Sequence, residues 1–283
     1  MNVIIQISCK DKVGIIASVT NFIQNKKGNI TYIDQHVDVE EKLFFMRVEC
    51  EFEESDFSIS TFKNTFTKEL AVPFNMNWDI TNPKKKLKMA IFVSKYDHCL
   101  YDILSRYQSG ELHVEIPVII SNHLDLKSIA DNFKIPFYYI PVTKETKFKA
   151  EEEQLKLLTK YDVNFIVLAR YMQIISDNLI AKYVNKIINI HHSFLPAFVG
   201  AKPYHSAYKR GVKIIGATSH YVTEELDAGP IIEQDVTRVS HNYSINDLVT
   251  KGRDLEKIVL STAIKLHLNK KVMINKNKTL IFS

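Results

Sequence analysis

The stretch Ile188–Asp235, INIHHSFLPAFVGAKPYHSAYKRGVKIIGATSHYVTEELDAGPIIEQD, decides both the fold and the chemistry of this chain. It opens on an apolar strand that carries Asn189 and His191 to the edge of a loop. It closes on Asp227, in the tight turn Leu226-Asp227-Ala228-Gly229-Pro230. An amide donor, an imidazole and a carboxylate are the groups that hydrolysis or transfer of an acyl unit requires. The spacing suits one βαβ crossover, so a single supersecondary unit is expected to bring all three together.

Upstream of this stretch, short apolar strands alternate with helices. Strands are expected at Met89–Val93, Val114–Ile120, Phe137–Ile140, Phe165–Leu168 and Ile187–Ile190. Helices are expected at Asp97–Tyr107, Lys127–Phe133, Phe148–Tyr161 and Ser176–Tyr183, and a long one at 244–267. Such alternation predicts a mostly parallel, Rossmann-like sheet covered on both faces. Ligands then sit beyond the carboxyl ends of the strands, where Asn189 and His191 fall. The tail VMINKNKTLIF alternates like a hairpin with a polar turn at Asn275–Lys278.

The first 82 residues follow another pattern. NVIIQISC (2–9) is a buried strand, Val13, Ile15, Ile16, Val19, Phe22 and Ile23 form a helical stripe, and Gly28 ends that helix. Strands near 29–38 and 43–51, a helix over Ser55–Glu69 and a strand near Val72–Trp78 complete a ferredoxin-like βαββαβ order. Pro83 and Lys84-Lys85-Lys86 mark a solvated linker. The division is therefore 1–82, a linker at 83–87, and 88–283.

Composition is that of a soluble globular protein, with 46% hydrophobic and 24% charged residues. The net charge of +5 comes from scattered lysines, which excludes a nucleic-acid stripe. Cys9, Cys50 and Cys99 lack metal-ligand spacing and read as reduced thiols in a cytoplasmic protein. No segment approaches the roughly 18 apolar residues of a membrane span.

Taken singly, each residue of the chemical set has a plain alternative. Asn189 can cap a loop, and Asp227 can serve as a turn residue. His191 and His192 are adjacent on an extended chain and point to opposite sides, which argues against a metal pair. Taken with Ser193-Phe194-Leu195-Pro196 and His220, the set is specific.

Asn189-Ile190-His191 followed by Ser193-Phe194-Leu195-Pro196, and His220-Tyr221-Val222 through Asp227-Ala228-Gly229-Pro230, resemble the formyltransferase family that handles 10-formyltetrahydrofolate. The resemblance covers about residues 86–283. It implies that Asn189, His191 and Asp227 are catalytic, that His220 supports Asp227, and that no metal or cofactor is used. Burial is expected to raise the Asp227 pKa toward the working range of a general base. The resemblance also places the pterin against Leu168, Met172, Gln173, Ile174 and Ile175. His205, after Lys202-Pro203-Tyr204, is placed at the border of the site. Where an arginine is common in the glycinamide ribonucleotide branch, this chain has Gln173.

The acceptor decides which reaction such a site runs. That branch has a glycine-rich loop whose amides hold the substrate phosphate. Ser94-Lys95-Tyr96-Asp97-His98-Cys99 stands there instead, with no glycine and an added carboxylate. Water is therefore the expected acceptor, yielding formate and tetrahydrofolate for one-carbon balance and purine synthesis. The alternative is transfer to an amine.

The N-terminal Asp11-Lys12-Val13-Gly14-Ile15 and Gly28-Asn29-Ile30 resemble an ACT domain. That implies an amino-acid effector and homo-oligomeric pairing. The same residues fit an oligomerisation surface alone.

Overall fold

The computed structural model describes residues 1–55, 57–197 and 203–282, arranged as two compact units. The first unit holds β1 (Asn2–Lys10), α1 (Ile15–Asn25), β2 (Asn29–Asp38), β3 (Leu43–Glu51), α2 (Ile59–Phe66), α3 (Val72–Phe74) and β4 (Asn77–Thr81). A π-helical turn at Thr67–Ala71 joins α2 to α3. The sheet order is β2-β3-β1-β4, with every neighbouring pair antiparallel. Alternate β3 residues Phe44, Met46, Val48 and Cys50 face a core that includes Phe22, Phe62, Phe66 and Trp78.

One expected element shifts. Val72-Pro73-Phe74 is helical, and the strand begins only at Asn77. Leu70 and Ala71 are buried on the helical face, and Asn75 stops the helix in a left-handed conformation (φ 50).

The opposite face of β3 carries Arg47, with only 1% of its surface exposed. Its Nε donates to the Lys270 carbonyl at 2.8 Å and its Nη2 to the Asn269 carbonyl at 2.9 Å. Gln6 donates to the carbonyls of Lys270 and Val272. Asn269–Met273, from the far end of the chain, thus belong to this first unit.

The second unit spans Lys86–Leu268 and Ile274–Thr279. It contains β5 (Leu87–Val93), α4 (His98–Gln108), β6 (Val114–Ser121), α5 (Lys127–Asn132), β7 (Phe137–Tyr139), α6 (Lys147–Lys160) and β8 (Phe165–Ala169). There follow α7 (Asp177–Lys182), β9 (Ile187–His191), α8 (Pro203–Arg210), β10 (Ile214–Tyr221), β11 (Ile231–Arg238) and α9 (Ile245–Leu268). The terminal hairpin is β12 (Val272–Asn275) with β13 (Lys278–Ile281).

The seven-stranded order is β11-β10-β9-β8-β5-β6-β7. Strands β7, β6, β5, β8 and β9 run parallel, and β10 and β11 are antiparallel additions. The expected βαβ crossover after β9 is therefore corrected. The chain passes through α8 and returns along β9 in the opposite direction, and that reversal builds the site.

Among the described residues, no helix is long and apolar enough to cross a membrane. Cys9, Cys50 and Cys99 are all buried and free. Burial pushes all three thiols up, Cys50 to about 12. Since the thiolate is the reactive form, Ellman's reagent should titrate none of them within minutes in the native protein and all of them in denaturant. Rapid native reaction would contradict this packing.

Candidate active site

Asn189 and His191 lie two apart on β9 and so share one face of the sheet. Antiparallel pairing sets His220 of β10 opposite Asn189, and Thr218 opposite His191. Directly opposed side chains come within contact range, so residues 31 apart in sequence meet. The Asn189 Nδ2 lies 3.2 Å from His220 Nε2. A register shift between Ser219 and His220, where β10 pairs with β11, re-aims the imidazole.

Asp227 enters from the β10–β11 turn. Its φ of 55 is left-handed, a conformation aspartate tolerates better than most side chains. Two contacts hold the turn. The Tyr221 N–H donates to the Pro230 carbonyl at 2.9 Å, and Asn277 of the terminal hairpin donates to the Ala228 carbonyl at 2.8 Å. Gly229 is packed so closely that a Cβ would stand 1.9 Å from the Tyr221 oxygen.

These placements put the Asp227 Oδ2 3.1 Å from His191 Nδ1 and its Oδ1 3.5 Å from His220 Nε2. Both rings are at least nine-tenths buried. His220 Nδ1 lies 2.9 Å from the Tyr221 carbonyl, which can only accept, so that nitrogen carries a proton. The remaining His220 nitrogen accepts from Asn189 when the ring is neutral and donates to Asp227 when it is charged. His191 is oriented through Nδ1, while its Nε2 is buried and has no partner among the described residues.

The charge of Asp227 departs from expectation. Hydrogen bonds from His191 and His220 outweigh burial and hold its carboxyl well below the usual carboxylate range, rather than raising it. It is a fixed anion beside two imidazoles.

A cavity of about 360 Å³ opens in front of this cluster. Leu168, Met172, Gln173, Ile174 and Ile175 line it, together with Asn189, His191, His220 and Asp227. The segment after β8 is pinned where the Met172 N–H donates to Ser94 Oγ at 2.9 Å. Met172 and Ile174 are 48% and 60% exposed, leaving apolar surface for a flat ring. The structure does not bring His205 into this cavity. It points outward from α8 and is exposed, whereas its neighbour Tyr204 is buried. Lys202, which precedes Pro203-Tyr204-His205, lies outside the described residues.

Sequence reasoning passed over Glu256. It lies on the buried stripe of α9 with Leu248, Gly252, Leu255 and Val259. A carboxylate at helical spacing on an apolar stripe demands partners, and that was the available signal. His98, Cys99 and Glu256 present ligand atoms within 4.8 Å of one another, the geometry of a cation cluster. The donor set does not fit one. Glu256 is already engaged by His98 and Tyr204, the Arg170 cation lies 3.6 Å away, and burial holds the Cys99 thiol protonated.

Residues 87–264 match the family described as formyl transferase, and residues 3–57 match the ACT domain. A formyltetrahydrofolate deformylase from Synechocystis is 50% identical over 98% of this chain and 97% of its own. One from Bacillus subtilis is 44% identical over 98% and 92%. The crystal structure of a Pseudomonas syringae formyltetrahydrofolate deformylase superposes with a TM-score of 0.96 at 46% identity, covering 100% of this chain and 94% of that one. The chain belongs to the formyltetrahydrofolate deformylase family.

Proposed function

We propose that this protein hydrolyses 10-formyltetrahydrofolate to formate and tetrahydrofolate. The observation that carries the reading is the convergence of Asn189, His191 and Asp227 at one cavity, with His191 Nε2 left unpartnered.

The formyl group on N10 is an amide, and its hydrolysis passes through a tetrahedral oxyanion. Asn189 offers an Nδ2 hydrogen to the substrate oxygen. His191, held through Nδ1 by Asp227, offers Nε2–H to the same developing charge. Asp227 accepts a hydrogen bond from the attacking water. A weak base suffices, because the water becomes acidic as its bond to carbon forms. His191 then protonates N10 as the carbon–nitrogen bond breaks. Asp227, which has taken the proton lost by the water, returns it to His191, and formic acid loses its own proton to solvent. No step needs a cofactor.

Asn189→Ala should lower kcat by about 10²–10³-fold with little change in KM, because a donor to the oxyanion is lost. Steady-state formate release measures this, and a pure KM effect would contradict it.

The reading as a whole is tested by incubating the pure protein with 10-formyltetrahydrofolate and no added acceptor. Stoichiometric formate and tetrahydrofolate are expected, and no formate would refute hydrolysis. We place the reaction in the cytoplasm, returning the folate carrier and supplying formate to purine synthesis. We also assign the N-terminal unit to homo-oligomer formation and to an amino-acid effector, read by sedimentation with and without free amino acids.

A further inference from the structure

Behind one wall of the catalytic cavity lies a buried polar cluster that hydrolysis itself does not use. Glu256 is 1% exposed. Its Oε2 stands 2.8 Å from His98 Nε2 and 3.6 Å from Arg170 Nε, and its Oε1 accepts from the Tyr204 hydroxyl at 2.6 Å. Four separate parts of the catalytic unit are tied together this way: the start of α4, the segment after β8, α8 and α9. Arg170 holds a left-handed backbone (φ 61), and its guanidinium stacks 4.9 Å from the centre of the Tyr96 ring.

Helix α9 is cut back to admit this arrangement. At Gly252, one turn before Glu256, a Cβ would stand 2.1 Å from the Tyr204 hydroxyl oxygen. The Glu256 carboxylate also keeps its charge. Burial pushes the Glu256 carboxyl up, but the His98 hydrogen bond and the Arg170 charge prevail, so it lies below its ordinary value. Burial and the adjacent carboxylate push the Tyr204 phenol far up, so it remains a donor.

Two members of the cavity wall rest on this cluster. Arg170 lines the cavity directly. His192 also lines it, and its ring lies 5.8 Å from that of Tyr204 and 5.3 Å from that of His191. His98 follows the Ser94–Asp97 loop at the carboxyl end of β5. In an open α/β sheet, ligands bind beyond that edge.

We propose that the His98–Glu256–Tyr204–Arg170 cluster closes the acceptor side of the cavity and so restricts the reaction to water. This inference rests on the hydrolytic function proposed above. An amine attacking the same carbonyl would form a carbon–nitrogen bond, break the bond to N10 and pass its proton to N10. Chemistry at the carbon does not exclude that outcome, since an amine is a stronger nucleophile than water. Exclusion has to come from the wall. Glu256 and Tyr204 act as positioning residues, because they hold Arg170 and His192 without lining the cavity themselves.

The full-length protein is assayed with 10-formyltetrahydrofolate and hydroxylamine, with formate and formohydroxamate quantified separately. Wild type should give formate, with formohydroxamate only at the level seen without enzyme. Glu256→Gln and Tyr204→Phe should each raise the ratio of formohydroxamate to formate by about tenfold or more. With the enzyme-free formohydroxamate subtracted, that ratio is independent of the amount of folded enzyme, so a merely structural role would leave it unchanged. If Glu256→Gln does not fold, Tyr204→Phe, which retains the ring, decides the question. Active variants with the wild-type ratio would overturn the proposal and leave the hydrolytic reading intact. A wild type that releases no formate would instead overturn the hydrolytic reading.

Discussion

Asp227→Asn should reduce kcat by about 10⁴-fold while changing folate affinity by no more than about twofold. The carboxylate lies 3.1 Å from His191 Nδ1 and 3.5 Å from His220 Nε2, and it is the anion shared by both rings. A carboxamide cannot take a proton from the attacking water, and it puts a neutral group where the anion faces His191 Nδ1. Folate affinity should survive, because the apolar segment Met172–Ile175 is untouched. Formate release and calorimetric titration with folate separate the two effects. A variant keeping a tenth of wild-type kcat would remove Asp227 from the chemistry.

The pH dependence follows from the same contacts. The folded pKa of Asp227 is depressed, so its stabilising contribution is full above the unfolded pKa and is lost progressively as pH falls from there through the folded value. The wild-type rate should therefore show no acid limb from Asp227 where an ordinary aspartate titrates. An acid limb at that pH, absent from Asp227→Asn, would contradict the assignment.

Gly229→Ala should cost about 10²-fold or more in kcat and about 1–3 kcal/mol in stability, although Gly229 touches no substrate. The added Cβ would stand 1.9 Å from the Tyr221 oxygen and 3.0 Å from its carbonyl carbon. Both are backbone atoms, so no side-chain rotation relieves the overlap. Moving β10 would strain the Tyr221–Pro230 hydrogen bond and displace His220. Moving the turn would swing Asp227, two residues earlier, away from both imidazoles. Either response misplaces a reacting group by the fraction of an ångström that catalysis does not tolerate. Steady-state kinetics and a thermal melt read the two effects. Wild-type values in both would show that the turn is not held as described.

The candidate site was legible in the sequence because its members lie in one run and carry distinctive side chains. Asn189, His191, His220 and Asp227 meet as expected, and so do all five residues from Leu168 to Ile175 assigned to the cavity. The direction of β10 was not legible. A connection between two strands that contains a helix reads as a parallel crossover, and local pattern does not record which way the returning strand runs. The reversal matters, since it sets Asn189 opposite His220. The ionisation of Asp227 was misjudged for a related reason. Burial can be guessed from neighbouring apolar residues, whereas two imidazole donors become visible only in three dimensions. Glu256, Tyr204 and His98 are separated by up to 158 residues, and no local spacing connects them. The resemblance places His205 at the border of the site, but the helical phase of α8 turns it to solvent and buries Tyr204.

The Arg47 contacts bear on how this architecture can be inherited. The N-terminal sheet presents a buried guanidinium whose partners include the carbonyls of Asn269 and Lys270. A gene fragment ending at the lysine-rich linker would strip those carbonyls away and leave the cation uncovered. The front module is thus not a detachable cassette. Its transplantation onto another enzyme would require Asn269–Met273 as well.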